Sequence, residues 1–148
     1  MKATIFTMLG ILASATAQQP SAENQSASQS YGYGTIRNVC GPTDAIELLL
    51  ALTPQPIACG DKTPREYIRL SLSGPFPKTI TFPAGNPHLQ AAKCVENEHK
   101  TKCEAAVSGK ITIDANGREG HYELKFKDGD EESSDFKVRE CMSRIVCG

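Results

Sequence analysis

The 148-residue sequence contains no tryptophan, and aromatic residues make up only 6% of it. It also lacks a Gly-x-Ser-x-Gly motif, so the nucleophile elbow of a serine hydrolase is missing. With so few aromatic side chains, a platform for stacking sugars is only weakly indicated. Its best candidates are Tyr31 and Tyr33 in "YGYG", which also fit the first strand of a domain.

The sequence has no excess of charge of either sign, with 16 Lys+Arg against 17 Asp+Glu. Loss of residues 1–17, which we predict below, removes Lys2 and no acid, leaving 15 basic and 17 acidic residues and a formal charge of −2. This balance provides no electrostatic attraction to nucleic acid or to anionic lipid. We therefore expect neither as a partner.

Long hydrophobic runs are also missing, since no segment approaches the roughly 20 apolar residues that span a bilayer. The N-terminal run, about residues 5–13, follows Lys2 and precedes the small-x-small triplet at residues 15–17. This layout is typical of a secretory signal peptide, so we predict cleavage after residue 17 and a secreted or periplasmic protein.

The next segment, "QQPSAENQSASQS", has almost no large apolar side chain and cannot bury enough surface to order itself. We interpret residues 18–30 as a flexible polar leader. Its Asn24 starts an Asn-x-Ser triplet, which would accept a glycan in a eukaryotic source. Residues 31–148 have the length of a single domain.

The even number of cysteines predicts disulfide bonds in an exported chain, rather than free thiols or a catalytic cysteine. The expected disulfide cysteines are Cys40, Cys59, Cys94, Cys103, Cys141 and Cys147. Cys94 with Cys103 is the best single pair, because it closes a short loop. The sequence does not choose among the connectivities of the others.

Several segments alternate apolar and polar residues, which is typical of half-buried strands. The last of them, "VSGKITID", "GHYELKFKDG" and "SDFKVREC", are separated by turns at Asn116-Gly117 and Asp128-Gly129. Residues 105–141 are therefore predicted to form a three-stranded antiparallel meander. "REYIRLSLSG", "KTITFP" and "YGYGTIRNV" predict further strands, and the prolines that bracket "KTITFP" suit either strand ends or a sheet edge.

Residues 45–52 fit two structures. Asp44 and Glu47 have the spacing of a helical capping box, whereas the alternation of residues 46, 48, 50 and 52 fits a strand. The segment is short for a helix, so a strand is favoured.

Together these patterns predict a mainly β fold, a small disulfide-stapled antiparallel β-sandwich or a partly open barrel ending in the meander. The predicted inward side chains are Ile46, Leu48, Leu50, Leu52, Ile68, Leu70, Leu72, Ile80, Phe82, Val107, Ile111, Ile113, Tyr122, Leu124, Phe126, Phe136 and Val138.

Two segments carry metal-ligand residue types. In "CVENEHKTKC", Cys94, His99 and Cys103, with His88 upstream, would supply four nitrogen and sulfur ligands, but the spacing matches no common zinc ribbon. In "DGDEESSD", five carboxylates occur within eight residues, but without the order of an EF-hand. A disulfide-closed loop and a soluble acidic hairpin are the favoured interpretations, so we predict no metal and no cofactor.

The leading functional hypothesis is a non-enzymatic binding module for a protein or a cell-surface polymer, acting through loops at one end of the sheet or through an edge strand. A small secreted hydrolase is the alternative, with His88 and Asp114 as its candidate groups. His121 is expected on the outer face of a strand, where a solvated role is favoured over catalysis. The third hypothesis is a structural component of an envelope or matrix that assembles through strand edges.

Overall fold

A computed structural model describes residues 30–74, 77–85, 89–98 and 100–148. Over these residues the chain consists of strands and turns, without a helix. The strands are β1 (Tyr33–Cys40), β2 (Ile46–Thr53), β3 (Glu66–Leu72), β4 (Thr79–Phe82), β5 (Gln90–Asn97), β6 (Lys100–Ile113), β7 (Glu119–Phe126) and β8 (Glu131–Glu140). The predicted mainly β fold is confirmed, and the segment at 45–52 is a strand.

Seven of the strands are bonded in a ring, in the order β6-β5-β3-β2-β1-β8-β7, which closes because β6 also pairs with β7. The long β6 pairs with β5 along its first half and with β4 along its second half. Neighbouring strands run antiparallel except β1 and β8, which are parallel. Among the described strands, only β4 has a single partner, so "KTITFP" takes the edge position that its prolines allowed as one of two alternatives.

The predicted C-terminal meander is confirmed as β6, β7 and β8, paired antiparallel in that order. Its two turns contain Gly117 (φ 67°) and Gly129 (φ 97°). L-residues seldom adopt such positive φ values, whereas glycine does so at little cost. The Asn-Gly and Asp-Gly dipeptides therefore marked both turns correctly.

Most of the predicted inward side chains form one buried core inside the ring. The core includes Leu50, Leu52, Ile68, Leu70, Ile80, Phe82, Ile111, Ile113, Tyr122, Leu124, Phe126 and Phe136. Leu72 is also buried, and Leu48 and Val138 are partly buried and pack against the core. The strand alternation therefore identified the core well.

Two predicted core positions are wrong. Val107 is 45% exposed, because the register of β6 against β7 shifts between Ala106 and Ser108. Such a bulge inserts one extra residue and reverses the alternation on one side of it. Ile46 is 55% exposed, because it begins β2 opposite Cys40, the last residue of β1, and so lies at the rim beyond the core.

All six cysteines are bridged, as Cys40–Cys147, Cys59–Cys141 and Cys94–Cys103. The predicted Cys94–Cys103 pair is confirmed and joins directly opposed residues of β5 and β6. The two long-range bridges hold the segment after β8 against the end of β1 and against the β2–β3 connection, and the Cys141 amide also donates to the Ile36 carbonyl at 2.7 Å. Three disulfides indicate that the chain folds in an oxidising compartment.

Candidate functional site

A wide groove of about 760 Å³ lies outside the ring where β1, β7 and β8 meet. Its lining side chains include Ser30, Tyr33, Pro54, Glu119, Asp135 and Lys137. We call it the Tyr33 groove. A groove of this volume is large enough for a ligand of several rings.

Strand pairing places the groove's polar side chains in one row. Tyr33 is opposite Lys137 in the β1–β8 pair, and Glu119 is opposite Lys137 in the β7–β8 pair. Directly opposed residues project to the same face of a sheet, so all three project outward. Asp135, two residues before Lys137, projects to the same side.

Hydrogen bonds between backbone groups and between side chains hold the groove in shape. The Lys137 amide donates to the Gly32 carbonyl at 3.0 Å, and the Ser30 and Ser134 hydroxyls are 2.8 Å apart. At the floor, a Cβ on Gly120 would lie 2.3 Å from the Phe136 ring and 2.5 Å from the Thr112 carbonyl oxygen. Only a glycine at position 120 therefore leaves room for the Phe136 ring to pack across β7.

Tyr33 is the exposed aromatic residue of the groove, with 41% of its surface accessible. The predicted exposed pair is wrong for Tyr31, which is fully buried. The Tyr31 hydroxyl donates to Glu66 at 2.5 Å, and its amide donates to the Tyr122 hydroxyl at 3.2 Å. Burial, followed by the contact with Glu66, raises the pKa of Tyr31 far above its ordinary value. A sugar-stacking platform at "YGYG" would therefore have one exposed ring, that of Tyr33.

His121 lies beside the groove on the outer face of β7, where the sequence predicted it. Its Nδ1 is 2.8 Å from Asp135 Oδ1, and its Nε2 is 3.4 Å from Glu123 Oε1. The hydrogen bond with Asp135 contributes most to raising the pKa of His121 above its ordinary value. Because both ring nitrogens face carboxylates, neither is placed to take a proton from a hydroxyl nucleophile.

A second group of polar side chains lies at one end of the ring, near the first residues of β3 and β8. This end cluster consists of Tyr31, Glu66, Lys93, Asp130 and Glu132. Lys93 Nζ lies 2.9 Å from Glu132, 3.5 Å from Asp130 and 3.6 Å from Glu66. Desolvation lowers the pKa of Lys93, but the hydrogen bond and the charges of the three acids outweigh it and raise the pKa.

Of the two candidate hydrolase groups, only Asp114 lies within the described residues. Asp114 Oδ1 accepts the amides of Arg118 at 2.8 Å and Glu119 at 3.3 Å, and so holds the β6–β7 turn. Desolvation would raise the pKa of Asp114, but backbone hydrogen bonds outweigh it and lower the pKa. His88 and His99 lie outside the described residues, as do Asn24, the predicted signal peptide and the predicted leader up to residue 29.

The metal-ligand candidates that the structure describes are engaged in other contacts. Cys94 and Cys103 are bonded to each other, so their sulfurs are not thiolate ligands. In the acidic hairpin, Asp130 contacts Lys93, Glu131 contacts Lys125 and Asp135 contacts His121. Within the described residues, no three or more His, Cys, Asp or Glu side chains are grouped so as to hold a metal ion.

Most of the groove could not be predicted from the sequence. Of its side chains only Tyr33 was a binding candidate, and nothing local in the sequence shows that β1 lies beside β8. The chain between residues 30 and 148 has, where it is described, no helix long and apolar enough to cross a membrane. Comparison of the chain with protein-family models, curated proteins and solved structures gave no match.

Proposed function

We propose that the chain is an exported, non-enzymatic binding module that holds a segment of a cell-surface polysaccharide in the Tyr33 groove. The observation that carries this proposal is the exposed ring of Tyr33 in a wide groove whose other side chains are mostly polar. Export is supported by the N-terminal signal pattern and by the three disulfides.

The lining suits the chemistry of a sugar. A pyranose has a face of C–H groups, which packs on an aromatic ring, and Tyr33 with Pro54 supplies such an apolar surface. Its hydroxyls both donate and accept hydrogen bonds. Glu119 and Asp135 are acceptors and Lys137 is a donor, so the groove offers both partners.

A polysaccharide hydrolase is the second candidate, favoured by the two acids in the same groove, Glu119 and Asp135. Glycoside cleavage needs one carboxylic acid that is protonated and one carboxylate that is not. Asp135 Oδ1 is already engaged by His121 Nδ1 at 2.8 Å, so this acid has a structural partner in the groove. The binding module is therefore the better-supported proposal.

The proposal is tested by retention of the disulfide-bonded protein on insoluble chitin, cellulose, β-1,3-glucan and peptidoglycan. We expect saturable binding to at least one polymer, weakened about fivefold to tenfold by Tyr33→Ala, as for the loss of one stacking ring. Tyr33→Phe retains the ring and should bind nearly as well. Tyr67→Ala, on the outer face of β3, is the matched control and should have no effect.

Two results would contradict the proposal. Absence of saturable binding to all four polymers would exclude this ligand class, and equal binding by Tyr33→Ala would exclude the groove. Release of soluble sugar from a bound polymer, abolished by Glu119→Gln, would instead support the hydrolase.

A further inference from the structure

A second cavity, about 330 Å³, opens at the end of the ring that lies opposite the end cluster along β8. The end cluster contains Glu132, near the first residue of β8, whereas this end pocket is lined by Glu140, the last residue of that strand. At about 30 Å³ for a water-sized group, the volume suits a ligand of roughly ten non-hydrogen atoms.

The floor of the end pocket is apolar. Ile36 and Ile113, only 7% and 8% exposed, belong to the core, and Leu48 packs against them. Met142, which is 55% exposed, stands at the rim. A thioether side chain adapts its shape easily to a ligand. The pocket therefore offers apolar contact below a flexible apolar edge.

The walls of the end pocket are fixed by backbone hydrogen bonds. The Ile113 amide donates to the Lys78 carbonyl at 2.9 Å, and the Cys141 amide donates to the Ile36 carbonyl at 2.7 Å. Cys141, next to Met142, is also bridged to Cys59. A cavity held this way needs little ordering when a ligand enters.

The rim carries more negative than positive charge. Its ionisable residues are Lys78, Asp114 and Glu140, so two acids face one base. Glu140 Oε1 lies 3.9 Å from the Cβ position of Gly117, in the turn that Asp114 holds, which places both acids on one side. Within the described residues, no salt bridge involves Lys78 or Glu140.

We propose that the end pocket binds a small amine, with an aliphatic or aromatic body on the floor formed by Ile36, Leu48 and Ile113 and an ammonium group beside Glu140. The apolar floor selects the body, because burying it removes apolar surface from water. The acidic side of the rim selects the charge. This site is separate from the Tyr33 groove and does not depend on its ligand.

Three probes of nearly equal size separate the contribution of the apolar floor from that of the charged rim: octylammonium, 1-octanol and octanoate. Each is titrated into the folded, disulfide-bonded protein, and binding is followed by amide chemical shifts in two-dimensional NMR. We expect saturable shifts at Ile113, Gly117 and Met142, with octylammonium about threefold to fivefold tighter than octanol, as for one partly exposed ion pair. Octanoate should bind most weakly.

Two matched variants test the residue assignment. Glu140→Gln should make octylammonium and octanol bind equally, while leaving octanol unchanged. Glu98→Gln removes the same charge from an exposed position in the β5–β6 turn and should change neither affinity. Met142→Trp, which narrows the exposed rim, should weaken all three probes.

Absence of saturable shifts with all three probes would overturn the proposal, as would shifts confined to the exposed Ile46 and Val146. Octanoate binding more tightly than octylammonium would assign the charge selection to Lys78 and contradict the role of Glu140. A dispersed amide spectrum for each variant confirms that a loss of binding is not a loss of fold.

Discussion

Lys93 Nζ lies 2.9 Å from Glu132 Oε1 inside the ring, and the two side chains are only 17% and 8% exposed. Asp130 and Glu66 also approach the same ammonium group, from the β7–β8 turn and from β3. One lysine thus holds together strands that are distant in sequence. Its position between three acids is that of a structural cation rather than a nucleophile, because its pKa is raised and not lowered.

Replacement of Lys93 by methionine should destabilise the protein by about 3 kcal/mol. The aliphatic stem is retained, so the loss comes from leaving Glu132 in the ring without its ammonium partner. The free energy of unfolding is measured by urea denaturation with the disulfides intact.

The double variant Lys93→Met/Glu132→Gln is the control for this prediction. It removes the buried negative charge as well, and should be at least about 1 kcal/mol more stable than Lys93→Met alone. If the double variant were the less stable of the two, the destabilisation would come from packing around Lys93 and not from the loss of its ammonium group beside Glu132.

The pair of His121 and Asp135 predicts a pH dependence of stability. The pKa of His121 is raised above 6.5, mainly by the Asp135 hydrogen bond, so the folded protein binds the proton more tightly than the unfolded chain. This stabilisation is present below pH about 6.5 and is lost as the pH rises through the higher folded pKa. Asp135→Asn should therefore reduce stability more at about pH 6 than at about pH 8.5.

The measurement is urea denaturation of both proteins at the two pH values, with the His121 pKa followed by NMR. Glu96→Gln, at an exposed acid of β5 without a salt bridge to the described residues, is the matched control and should show no such difference. An unchanged His121 pKa in Asp135→Asn would contradict the assignment.

The sequence predicted what depends on local alternation and missed what depends on contacts across the sheet. Phe126 and Phe136 could be assigned inward because side chains alternate along each strand. The same alternation, extended from Phe136, places Glu132 inward too. That Lys93 would meet Glu132 required the order of the strands, and the parallel pairing of β1 with β8 joins segments without any local signal.

Val107 shows a different limit. The prediction assumed that inward and outward side chains alternate along the whole of β6, but the bulge beside Ala106 shifts this alternation by one residue. Gly109 was the available signal, since an isolated glycine in a strand often marks a bulge or a close backbone approach. Its φ of 133° and its contact with β7 agree with that interpretation.

Gly109→Ala should therefore be strongly destabilising, by about 3 kcal/mol or more. A Cβ there would lie 2.1 Å from the Glu123 carbonyl oxygen and 2.8 Å from the Leu124 Cα, and neither backbone atom moves without disturbing β7. Gly129→Ala is the matched control, because Gly129 also has a positive φ but nothing within 4 Å of its Cβ position. It should cost only about 1 kcal/mol, and equal losses in the two variants would contradict the clash.

Each long-range disulfide should stabilise the fold less when the other is in place than when it is the only one of the two. Cys40–Cys147 and Cys59–Cys141 span 107 and 82 residues, and the second lies within the first. With one bridge in place, the other closes a loop of only roughly 26 residues, worth about 3.5 kcal/mol in the chain-entropy model. Once one is lost, the remaining bridge closes a long loop and is worth about 4.5 kcal/mol.

Replacing both pairs by alanine should therefore cost about 1 kcal/mol more than the two single losses added, as measured by urea denaturation. The Cys94–Cys103 bridge lies within both long loops but spans only 9 residues, so it shortens those loops little and its removal should add nearly independently to either loss. Strictly additive effects for the two long bridges would contradict the nested-loop explanation.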